Sequence, residues 1–174
     1  MQGQPDPATL ADKMAIQEQI RSYCRAVDRL DIALGHGVFH EDSHADYGAD
    51  FYQGPGRGVI NAIITSHDGL LSHSHQVTNV LIEVNGETAG SESYVTATLR
   101  IMREDRLMQI GVWARYLDHW EKRDGCWAIV KRMVVYDHED LREASPMGQK
   151  IRSTRDAQDP SYSYLTSRKW GDAT

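Results

Sequence analysis

Between residues 9 and 30 the apolar positions Ile16, Ile20, Tyr23, Val27 and Leu30 recur at helical spacing, with charged residues between them. That is the pattern of an amphipathic helix laid on a core. Asp31 follows as an N-cap, since a short carboxylate can accept hydrogen bonds from the free N–H groups of a first turn; it predicts a short helix over residues 32–39. Residues 46–52 read as a strand, closed by Gly54-Pro55-Gly56. Val59, Ile60, Ile63 and Ile64 then predict a third helix over residues 57–71.

From there the period changes. Residues 77–84, 94–102, 107–120 and 127–136 read as long strands, with Val95, Ala97, Leu99 and Ile101 alternating on one face. Asn85-Gly86 and Asp124-Gly125 supply tight turns between them. Helices first and a meander of strands afterwards predict an α+β domain, its long first helix packed across a strongly curved antiparallel sheet. Residues 1–140 are expected to form that domain. The polar residues 141–174 are read as an extension packed on the domain or on a neighbouring subunit.

Composition narrows the classes. A chain of 174 residues, 40% hydrophobic and 25% charged, can bury one ordinary core. Its net charge of −6 argues against nucleic acid or an anionic membrane as a partner. No apolar run approaches the roughly 20 residues of a membrane-spanning helix. The polar, acidic start lacks a basic stretch leading into an apolar one, so no secretory signal is expected. Cys24 and Cys126 have no metal or redox spacing and are expected to be reduced, in a cytoplasm.

The chain carries no phosphate-cradling glycine loop, no zinc-binding His-Glu-x-x-His and no Gly-x-Ser-x-Gly elbow, so no cofactor is expected. His36, His40 and His44 are four apart, but Gly35, Gly37 and the strand expected near Asp46 interrupt any shared helix face. His73 and His75 share a strand face without a third ligand, so no metal site is expected. His75, where the chain enters the first long strand, can serve as a general base if an acid orients it; otherwise it is a hydrogen-bonded core histidine. Asp28 lies one residue past Val27, at the edge of the apolar stripe, and a carboxylate there requires a partner. Arg25 or Arg29 on the helix surface, or His75 across the interior, would serve; spacing leaves the choice open. Tyr23 and Tyr47 are either core aromatics or hydrogen-bond donors to an oxygen that gains charge.

Taken together, residues 23–31 (Tyr-Cys-Arg-Ala-Val-Asp-Arg-Leu-Asp), 42–48 (Asp-Ser-His-Ala-Asp-Tyr-Gly), 75–79 (His-Gln-Val-Thr-Asn), 115–120 and 123–127 resemble the SnoaL-like branch of the nuclear transport factor 2-like superfamily. The resemblance spans residues 8–140. It implies a cone-shaped α+β barrel, in which a curved antiparallel sheet and three N-terminal helices enclose an apolar pocket. It also implies a dyad, since Asp28 and His75 match the catalytic aspartate and histidine of scytalone dehydratase and lindane dehydrochlorinase. Tyr47 and Tyr23 match tyrosines of scytalone dehydratase and bile-acid 7α-dehydratase. Arg132 matches more loosely an arginine of the dehydrochlorinases, a surface salt bridge being the other account of it. A second catalytic histidine has no clear counterpart in the sequence.

The expected activity is a cofactor-independent lyase on a small, hydrophobic, ring-containing molecule, with loss of water, halide or a small carbon fragment such as formaldehyde. Asn79, Phe51, Trp113 and Arg132 are expected against the substrate, and the assembly is expected to be a homodimer or homotrimer. The same superfamily includes isomerases, hydrolases, ligand-binding modules and structural subunits of ring-hydroxylating dioxygenases, and fold alone does not choose among them.

Overall fold

The computed structural model describes residues 6–171. Helix α1 (Pro7–Arg29) opens with Asp6, whose carboxylate accepts from the N–H groups of Ala8 and Thr9. It ends where Leu30 turns left-handed at φ 53° and the next N–H returns to Ala26 O. Asp31 caps α2 (Ile32–Gly37) by accepting from Leu34 N at 3.0 Å, as its position predicts. Helix α3 (Gly56–Asp68) packs on the first strand so closely that a Cβ at Gly56 would lie 2.3 Å from Ser43 Oγ and 2.6 Å from Phe39. Only glycine lets the helix begin there.

Six strands follow the order β2-β1-β6-β5-β4-β3. They are β1 (Phe39–Asp46), β2 (Gln53–Pro55), β3 (Ser72–Asn85), β4 (Thr88–Arg103), β5 (Arg106–Arg123) and β6 (Cys126–Glu143). Every pairing is antiparallel except β1 with β6, and the sheet does not close, because β2 and β3 remain edges. Register shifts after Thr78, Trp113 and His119 mark the irregularities at which such a sheet bends. The turn at Asp124-Gly125 takes φ of 52° and 80°, the left-handed pair that an Asp-Gly dipeptide tolerates.

The segment from residue 39 to residue 55 differs from expectation, and Gln53–Pro55, read as a closing turn, is the short strand β2. Residues 46–52 are not a strand: Tyr47 N donates to Tyr52 O and Tyr52 N to Gly48 O, so the chain turns back on itself. The strand is the preceding segment, β1, whose His-Glu-Asp-Ser-His run looks like a loop because only Phe39, Ser43 and Ala45 are buried.

Ile16, Ile20 and Val27 of α1, Val59 and Ile60 of α3, and Trp120 and Ile129 of the sheet form one continuous core. No helix among the described residues is long and apolar enough to cross a membrane. Beyond β6 the chain returns to its own helices: Arg155 donates to His67 O (2.7 Å) and Asp68 O (3.2 Å), and Trp170 Nε1 donates to Arg29 O.

Candidate active site

Between the helices and the concave face of the sheet lies an apolar cavity of about 190 Å³. An engineered cavity of about 150 Å³ accepts benzene, so this one suits a molecule of about one substituted ring. Val95 and Ala97 of β4, Val112 and Ala114 of β5, and Ile63 of α3 provide apolar wall. The polar groups in that wall come from distant parts of the sequence.

Asp28, in the last turns of α1, meets His75 on β3. His75 Nδ1 stands 2.7 Å from Asp28 Oδ1, and the His75 backbone N–H donates to Asp28 Oδ2 at 3.1 Å. Both oxygens of the carboxylate are thus engaged by one residue, which fixes the ring as well as its partner. With Nδ1–H facing the carboxylate, Nε2 is the nitrogen left with a lone pair, and the His75 ring lines the cavity. The alternative partners Arg25 and Arg29 are turned elsewhere, toward Ser161 and Asp159.

The tyrosines close another part of the wall. Their hydroxyls are 2.7 Å apart, and Arg132 Nη1 approaches Tyr47 Oη at 3.5 Å. Two hydroxyls carry two protons and spend one on each other, so one O–H remains for a bound molecule. Burial raises the Tyr23 phenol well above its ordinary range, and nearby Tyr47 adds to this. Burial also raises Tyr47, with Arg132 partly opposing it. Both are therefore protonated donors near neutral pH.

Beneath them Arg132 of β6 is wholly buried. It forms a two-pronged pair with Asp118 of β5, Nε to Oδ1 at 2.7 Å and Nη2 to Oδ2 at 2.8 Å. Its guanidinium lies 4.2 Å from the Tyr23 ring centre and 4.3 Å from that of Tyr116. Burial alone would loosen its proton, but Asp118 more than reverses this and Arg132 stays cationic. It is neither a surface ion pair nor part of the cavity wall; its place is behind the tyrosines.

Two other expectations are corrected. Asn79 falls at the irregularity in β3 with φ 47° and is exposed, outside the cavity. Trp113 stacks on His138 at 4.4 Å and is likewise outside the cavity wall, which Val112 and Ala114 form instead. Strand alternation sends Trp113 to the other face. Phe51 does line the cavity, 6.2 Å from Tyr47 between ring centres.

A residue the sequence did not single out also faces the cavity. His67, in the last turn of α3, stacks near His73 (4.7 Å) and His75 (5.8 Å). Burial, with these two rings and Arg155 adding to it, pushes its pKa down to about 3, so it is a neutral imidazole. Burial likewise lowers His73, despite its hydrogen bond to Val27 O. No motif pointed to His67, and Asp118 stood only within the resembling segment 115–120, with no role attached to it. His36 pairs with Asn61 and His40 with Glu121 O. Among the described residues no three His, Cys, Asp or Glu side chains gather as metal ligands.

The SnoaL-like domain model matches residues 8–133. No curated protein matches the chain significantly. The fold is similar to that of a scytalone dehydratase-like protein of Novosphingobium aromaticivorans, 23% identical, covering 82% of this chain and 97% of that one with a TM-score of 0.64. It is similar also to hexachlorocyclohexane dehydrochlorinase LinA of Novosphingobium barchaimii, at 18% identity, 82% and 97% coverage and a TM-score of 0.66. A Mycobacterium tuberculosis protein of unknown function is 25% identical, with 78% of each chain covered and a TM-score of 0.64. At these identities the likeness concerns the fold.

Proposed function

This chain belongs to the SnoaL-like domain family, and from that premise we propose that it is a cofactor-independent lyase acting on a small, apolar, ring-containing molecule. The observation that carries the reading is the Asp28–His75 pair, 2.7 Å apart, with the imidazole in the wall of an apolar cavity. His75 Nε2 takes a proton from a ring carbon next to a carbonyl or next to the carbon bearing the leaving group. The C–H electrons form the new double bond as halide departs, or as the hydroxyl departs with a proton returned by the His75 imidazolium, leaving as water. Asp28 stabilises the imidazolium as it forms, and a low-dielectric surrounding strengthens that effect.

Tyr47, with the Arg132 cation behind it, donates its hydrogen bond to the oxygen or leaving group that gains negative charge. Tyr23 sets the direction of that hydroxyl. His67, neutral, offers one further donor or acceptor. The similar structures named for a dehydratase and a dehydrochlorinase belong to reactions of this kind. The cavity volume favours one substituted ring over a fused four-ring skeleton.

The test is a panel of cyclic hydroxyketones and halogenated cyclohexanes, followed by mass spectrometry in ordinary and heavy water. Loss of water or hydrogen halide, abolished in His75→Ala, is the expected result. Deuterium uptake without elimination would replace the lyase with an isomerase. Binding without either event would leave a ligand-binding protein.

A further inference from the structure

The C-terminal segment lies beyond the matched residues 8–133, yet it is joined to the helix that carries Asp28. Arg25 precedes Asp28 by three positions on α1, the spacing at which a helical arginine and carboxylate pair. Among the described residues, neither Arg25 nor Arg29 pairs with that carboxylate. Arg25 donates to Ser161 Oγ at 3.1 Å and lies 4.7 Å over the Tyr162 ring. Arg29 donates Nη1 to the Asp28 backbone carbonyl at 3.3 Å, and its Nε faces Asp159 Oδ1 at 3.4 Å, an ion-pair contact and not a hydrogen bond.

Asp159 is the hub of this arrangement. Though 4% exposed, it accepts from Thr154 N (3.1 Å), Ser161 N (3.0 Å) and Ser161 Oγ (2.5 Å) while facing Arg29. Arg168 adds bonds to Ser22 and Glu18, and Gly171 N donates to Asp31. At the other end Arg155 holds the last carbonyls of α3, the turn that carries His67.

We infer that residues 154–171 form a strap that keeps the Arg25 and Arg29 guanidinium groups off the Asp28 carboxylate, with Asp159 as its positioning residue. Asp159 holds Arg29 directly and holds Arg25 through Ser161. A guanidinium that swung onto Asp28 would neutralise the charge that His75 relies on, and the imidazole would become a weaker base. The charged and titratable groups around His75 are then Asp28, Arg25 and Arg29 on α1, His73 on β3, His67 on α3 and Arg155 on the strap. The inference rests on the lyase reading for its meaning in catalysis, but its geometry does not depend on it.

The experiment is a proton NMR titration of the full-length chain, with the His75 resonance assigned by its loss in His75→Gln. Asp159→Asn should lower the His75 midpoint by about one pH unit, the effect of adding a nearby cation. Adding Arg25→Gln and Arg29→Gln to Asp159→Asn should return it. Ser161→Ala with Tyr162→Leu leaves Asp159 in place and frees Arg25, and must move the midpoint the same way; it serves if Asp159→Asn does not fold. An unmoved midpoint in a folded variant, or a shift that persists without both arginines, overturns the strap. No substrate enters this measurement. A moved midpoint in a protein that eliminates nothing therefore supports the strap and counts only against the lyase.

Discussion

Asp28→Asn should stop proton abstraction by turning the His75 ring into the wrong tautomer. Asp28 accepts from two groups, the His75 backbone N–H at 3.1 Å and ring Nδ1 at 2.7 Å. An asparagine has one carbonyl oxygen and one amide. The backbone N–H can only donate, so it claims the oxygen, and the amide then faces Nδ1. Nδ1 becomes an acceptor, the ring proton moves to Nε2, and the nitrogen facing the cavity can no longer accept one. The negative charge that stabilised the imidazolium is lost as well. The same substitution in the serine-protease triad costs about four orders of magnitude, and acid–base catalysis in general contributes about two to four. Turnover should fall within that range while the substrate Kd changes little, because the loss belongs to the transition state. Turnover comes from single-turnover kinetics, and the tautomer from the ring ¹⁵N shifts of His75. Turnover within a few-fold of the parent, or a ring that keeps its proton on Nδ1, refutes the reasoning.

Arg132→Met should destabilise the fold by about 3–5 kcal/mol, because it strands the wholly buried Asp118 carboxylate without its partner. Thermal unfolding should register a drop on the order of 10 °C for a chain this size, and adding Asp118→Leu should recover most of it. Tyr47→Phe keeps the ring but removes the hydroxyl between Tyr23 and Arg132; the rate of elimination should fall by about two to three orders of magnitude with the circular dichroism spectrum intact. Folding holds His67 at about 3, against 6.5 for the free side chain, so between these values the unfolded chain binds the extra proton. The stability due to the neutral ring is complete above pH 6.5 and is lost as pH falls. The Tm should decline from pH 6.5 toward 4, and His67→Gln should flatten that decline; an equal slope in both proteins contradicts the burial argument.

Elements set by local pattern could be read from the chain. α1 announces itself by Ile16, Ile20 and Val27, and the β5–β6 turn by Asp124-Gly125, because each depends on residues a few positions apart. β1 escaped because it buries few side chains; a strand supported mainly by its neighbours' hydrogen bonds has no hydrophobic alternation to show. Asn79 was misplaced for a related reason, since it adjoins a register shift with an extra residue in β3, whereas Trp113 falls on the outer face by plain alternation with Val112 and Ala114.

The site divides the same way. Asp28 stood out as a carboxylate on an apolar face in need of a partner, but the alternative partners are engaged far along the chain, Arg29 at Asp159 and Arg25 at Ser161. Nothing within a window of helical length carries that information. Asp118 and Arg132, on adjacent strands, are likewise paired by the register of the sheet. Their effect on the tyrosines depends on both being present. Together they add no net charge to the interior, but their dipole is fixed, with the guanidinium end against Tyr23 and Tyr47. A lone buried guanidinium would carry an uncompensated desolvation cost, whereas a neutralised pair can polarise a phenol without it. The tyrosines and core packing bury the guanidinium completely, and the carboxylate compensates its charge there.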